Sequence, residues 1–121
     1  MSLDEFFEGY DESRRIFDAL YEAVVATGEV EMSVTKSQVA FRHGKAFAWA
    51  WIPDKYLHGR HAPLVLSLVF DRRDESPRWK EVVQPAPGRF MHHLELRSEA
   101  EIDEQVRQWV QEAMPPRPMT G

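Results

Sequence analysis

The sequence predicts an α+β fold of two layers: a mainly antiparallel sheet of about five strands, with one helix at the N-terminal end and another at the C-terminal end. Three observations carry this. Apolar residues recur with a helical period between Ile16 and Val24, do so again between Ile102 and Ala113, and mostly alternate with polar ones in between. Strands gathered between terminal helices bury their apolar side under those helices. A length of 121 residues is that of one domain. The reading places it at residues 1–114, with 115–121 as a disordered tail that frays from Arg117.

The elements follow in order. Ser2 with Glu5 three residues on is a capping box that opens a short turn presenting Phe6 and Phe7, and Gly9 ends it. Ile16, Phe17, Leu20, Tyr21 and Val24 form one stripe of a helix over about 12–26, with Asp11 or Ser13 as its N-cap and Gly28 just beyond it. After Gly28 the period changes to two, and Val30, Met32 and Val34 mark a strand. Val39–Arg42 is a second strand, His43-Gly44 a hairpin turn, and Lys45–Ile52 a third strand closed by Pro53. Leu64–Phe70 is apolar on both faces except for Ser67, which predicts a central strand. Asp71 to Gly88 reads as a long loop with a short edge strand over Trp79–Val83. Phe90–Leu96 alternates again, with His92 and His93 on opposite faces. Ser98 and Glu101 form a second capping box, and Pro115-Pro116 ends the final helix.

Composition excludes several functions. With no cysteine there is no disulfide, thiol nucleophile, zinc finger or cysteine-held cluster. No apolar run approaches the ~20 residues that span a bilayer. The acidic opening Met1-Ser2-Leu3-Asp4-Glu5 is unlike a secretory signal, so the expected location is cytoplasmic. The net charge of −5 is uneven: residues 1–31 carry −7, residues 32–97 carry +5 and residues 98–121 carry −3. A basic middle can attract an anion, or it can neutralise the acidic ends within the fold.

Candidate chemistry concentrates in the middle. Phe47, Trp49 and Trp51 share one strand face, and Ala46, Ala48 and Ala50 the other. Small side chains let a helix approach closely, so the alanine face is expected under the helices and the aromatic face is either core or a pocket floor. Lys36, Arg42, Arg78 and Trp79 are expected to rim that floor, and His92 to stand beside the tryptophans. His58-Gly59-Arg60-His61 has a metal-like spacing, but it lies on a glycine loop without nearby acids, so no metal is expected. No nucleotide-binding, nucleophile-elbow or zincin motif occurs. Neither a cofactor nor enzymatic chemistry is indicated.

Lys36-Ser37-Gln38-Val39-Ala40-Phe41, Phe47-Ala48, Ser76-Pro77-Arg78, His92-His93-Leu94-Glu95-Leu96 and Glu101-Ile102-Asp103 through Trp109 to Ala113 occur in this order. The series resembles a bacterial family catalogued as domain of unknown function 5655, over about residues 12–114. The resemblance implies a small α+β unit in an accessory role, sometimes found at the end of larger chains with nuclease-like segments. It supplies no catalytic residues to carry over. Some members are labelled predicted transport proteins, a label at odds with the lack of any membrane-spanning stretch here. The chain departs from the family at Met114-Pro115, where the helix usually continues with an aromatic residue.

The expectation is therefore a non-catalytic binding module for an anionic or planar small ligand, built on Lys36, Arg42, Trp49, Trp51, Arg78, Trp79 and His92. The alternatives are a protein-interaction or homodimerisation unit and, disfavoured by the acidic helices, an accessory nucleic-acid-binding domain.

Overall fold

The computed structural model describes residues 1–116, so of the tail expected over 115–121 all but the first two residues lie outside the described residues. The first capping box forms as expected. Ser2 Oγ accepts from the Glu5 N–H and Glu5 Oε1 from the Ser2 N–H, each at 3.1 Å. It opens a single turn, α1 (Leu3–Phe6), which places Phe6 and Phe7 in the core, with Phe7 5.0 Å from Phe17. The long helix α2 (Asp11–Val25) buries Ile16, Phe17, Leu20, Ala23 and Val24. Its expected cap does not form, because the chain enters through Tyr10 with no side-chain cap. Ser13 is turned inward and donates to the Pro63 carbonyl at 2.7 Å, tying the helix to the start of a strand.

Six strands follow: β1 (Glu31–Val34), β2 (Val39–His43), β3 (Lys45–Trp51), β4 (Leu64–Phe70), β5 (Glu81–Ala86) and β6 (Arg89–Leu96). They form one sheet of order β1-β2-β3-β4-β6-β5, antiparallel at every pairing. The α+β architecture is as the sequence predicts. The count is six rather than about five, because the edge strand in the long connection runs to Ala86 and pairs with β6. The second capping box is displaced. Glu101 accepts from the Arg97 N–H rather than from Ser98, so a 3-10 turn (Glu99–Glu101) forms first. The final helix, α3 (Glu104–Ala113), starts at a second cap, Asp103, whose Oδ1 accepts from the Val106 N–H at 3.1 Å.

Both long helices cover the same side of the sheet, where α2 and α3 meet each other and both meet β4. Val39, Phe41, Ala48, Ala50, Leu66, Leu68 and Leu94 face them and are buried. Ala48 and Ala50 lie under the helices, as their size predicts, whereas Ala46 pairs with the exposed Arg42 and is on the other face. Phe47 does not join Trp49 and Trp51 as expected. Phe41 pairs with Ala48 but Arg42 pairs with Ala46, which makes Phe47 the extra residue of a bulge. The bulge breaks the alternation and sends its ring, fully buried, into the core with the helices. No helix among the described residues is long and apolar enough to cross a membrane.

Candidate functional site

Register divides the seven candidate residues between the two faces of the sheet. His92 lies opposite Leu68 on the helix-covered side and is fully buried. Its Nε2 accepts from the Asp74 N–H at 2.9 Å, so its hydrogen is on Nδ1, 3.0 Å from the Phe90 carbonyl. Burial lowers its pKa below the usual histidine value, against the opposing pull of that carbonyl. Trp79 is buried beside it, with ring centroids 4.9 Å apart, and stacks at 4.1 Å on Trp109 of α3. The Trp79 Nε1–H donates to Asp74 at 2.8 Å. Burial alone would raise the Asp74 pKa, but hydrogen bonds from Trp79, Ser76 and Arg72 outweigh it and hold it below the ordinary value.

Arg78 is committed to the same side. It donates to Asp103, Gln105 and the Glu101 carbonyl, and its guanidinium lies 5.6 Å from the Trp109 ring. Arg78, Trp79 and His92 are therefore structural, and the expectation that they rim a pocket with Trp49 is corrected. They fix α3 to the sheet. Lys36 and Arg42 are exposed. The Lys36 carbonyl accepts from the Tyr56 hydroxyl at 3.1 Å in the β1–β2 turn, and Arg42 sits opposite Glu31.

Trp49 and Trp51 do occupy the other side of the sheet, where no helix among the described residues packs. Both are half-buried. Trp49 pairs with Ser67, and Ser67 pairs in turn with His93. The Trp51 indole reaches diagonally across β4, its Nε1–H donating to Ser67 Oγ at 3.3 Å. Ser67 Oγ is 2.7 Å from His93 Nδ1. Burial lowers the His93 pKa, partly offset by the facing Glu81 carboxylate.

Two adjoining hollows share Trp51 and His93. One, of about 220 Å³, is lined also by Gln38, Trp49, Ser67 and Met91. The other, of about 210 Å³, lies between β6 and the connection after β3, where Leu57, His61, Lys80, Glu81 and Glu95 complete the wall. His61 Nε2 is meanwhile 2.7 Å from the His58 carbonyl in its own loop.

Three of the seven residues, Arg42, Trp49 and Trp51, therefore share this face, with Arg42 lining neither hollow, and sequence reasoning missed Ser67, His93 and Glu81. Alternation along β6 assigned His93 to the face opposite His92. What was missing was the strand order, which alone brings His93 and Ser67 beside the tryptophans.

Comparison with known proteins adds one match. The model of the family described as Domain of unknown function (DUF5655) matches residues 3–115. No curated protein and no solved structure matches the chain. A match of nearly its whole length, carrying both long helices and all six strands, places the chain in the DUF5655 family.

Proposed function

We propose that this chain is a non-catalytic binding module that takes a planar small ligand on the uncovered face of the sheet, against the indoles of Trp49 and Trp51. The observation that carries the reading is the pair of half-buried indoles beside two hollows on a face without a helix. Buried aromatic rings of a core have partners on every side; these keep open space next to them, which suits stacking with another ring. At about 210 and 220 Å³ the hollows fit one ring or a fused pair, just under the ~300 Å³ at which ordinary ligand pockets begin. The anionic half of the expectation has less support. Arg78 is spent on Asp103, and Lys36 and Arg42 line neither hollow.

Nuclear magnetic resonance of the indole N–H groups tests the reading. A binding aromatic probe shifts the Trp49 and Trp51 signals and leaves those of Trp79 and Trp109 in place. Trp49→Ala or Trp51→Ala weakens binding about five- to tenfold, the scale of one aromatic contact. A panel of planar probes that moves neither signal overturns the reading, as does a homodimer in sedimentation that seals both rings.

A further inference from the structure

We infer that the ligand of the uncovered face is an uncharged planar lactam, a ring with a carbonyl beside an N–H, its carbonyl held by the His93 Nε2–H and its N–H by the Glu81 carboxylate. The inference rests on the stacking reading above and adds the ligand's charge and its hydrogen-bonding edge.

The hydrogen bonds inside the face assign the histidine tautomer. An indole N–H can only donate, so Trp51 uses a lone pair of Ser67 Oγ. The serine hydrogen then needs an acceptor, and among the described residues His93 Nδ1 is the one within reach, at 2.7 Å. Nδ1 accepts only if the hydrogen of the neutral ring sits on Nε2. Nε2 has no partner among the described residues. No buried polar side-chain atom there lacks one, so Nε2 reaches the open space of the hollows. It is an unused N–H donor fixed by a chain of two hydrogen bonds. Burial, which lowers the pKa of the ring, keeps it neutral at pH 7.

The matching acceptor is its cross-strand neighbour. Glu81 pairs with His93 across β5 and β6, lines the same hollow and makes no ion pair among the described residues. Facing side chains on one sheet surface start with Cβ atoms roughly 4.5–5.5 Å apart. A donor and an acceptor at that separation match the adjacent carbonyl and N–H of one ring edge. The charges select against an anion. Glu81 and Glu95 both line the hollow, but Lys80 and Arg97 are both spent on Glu95, at 3.4 and 3.5 Å, which leaves the Glu81 carboxylate without an ion pair among the described residues. A planar anion would meet uncompensated negative charge.

Three probes on one ring system test this: carbostyril, a neutral lactam; N-methylcarbostyril, which lacks the N–H; and quinaldate, a planar anion. Calorimetric titration should find carbostyril tightest, with each of the others weaker by about tenfold or more, the effect of a lost charge-assisted hydrogen bond or an opposed charge. Glu81→Ala, an exposed edge-strand change, should erase the preference for carbostyril over its N-methyl form. His93→Phe should weaken both. Quinaldate or N-methylcarbostyril binding as tightly as carbostyril overturns the lactam inference, as does a preference that survives Glu81→Ala. In those cases the indole shifts of Trp49 and Trp51 still support stacking. If none of the three probes moves those signals, the binding reading itself fails and the inference fails with it.

Discussion

His92 and His93 are consecutive residues with opposite surroundings, because successive side chains of a strand point to opposite faces. His92 is sealed between Phe70 and Trp79, and both its ring nitrogens are used by backbone groups. His93 spends one nitrogen on Ser67 and keeps the other open. Both rings hold protons less tightly folded than unfolded. Below the ordinary histidine value of about 6.5, unfolding therefore takes up protons, and stability falls as pH drops toward the lowered folded values. Denaturant titrations at pH 7 and pH 5 should show a less stable protein at pH 5. His92→Leu should cost about 2–4 kcal/mol at pH 7, since it orphans the Asp74 N–H and the Phe90 carbonyl, and it should also reduce the pH dependence. A pH dependence unchanged in both His92→Leu and His93→Phe would remove these rings as its cause. At this scale the sequence was legible in alternation and silent on neighbours. Nothing local to Phe90–Leu96 says which strand lies alongside, and Phe47 lost its alternation to a bulge that no residue pattern announces.

Among elements, the junction of α3 with the long connection before β5 shows where the charge blocks go. Arg72 and Arg78, from the basic middle, meet Glu112 and Asp103, from the acidic end. Part of the charge asymmetry is thus internal neutralisation. Asp103 serves twice, capping α3 and holding Arg78. Burial alone would raise its pKa, but the Val106 N–H and the guanidinium keep it low. Arg78→Ala should destabilise the fold by about 1–2 kcal/mol, through lost hydrogen bonds and the uncovered face of Trp109. It should leave probe affinity at Trp49 and Trp51 unchanged; a loss of affinity at constant stability would return Arg78 to the site. The capping signal at Ser98 was legible but opened a 3-10 turn, because a second cap at Asp103, followed by the good helix formers Glu104, Gln105 and Arg107, took the helix start. The outer strands are protected differently. β1 is only four residues long, and β5 carries Pro85, which removes a donor from that edge.

The whole molecule is a sheet with one side under two helices and the other side uncovered by any helix among the described residues. That plan was readable in advance. Two amphipathic helices joined by alternating strands leave few arrangements, and Ala48 and Ala50 of β3 marked the side that the helices approach. The candidate site was legible only in its tryptophans. Its polar members sit on β4, β5 and β6, and they converge because β6 runs between the other two. That insertion also governs how the protein is made. During synthesis β4, apolar on both faces, emerges about twenty residues before the strand that pairs with its free edge. A nascent chain released before Arg89 would carry that edge bare, so ribosome-stalled or truncated products ending near Ala86 should pellet on centrifugation, whereas those ending beyond Ala113 stay in solution. Equal recovery of both products would mean that α2 alone shields β4 until its partner arrives.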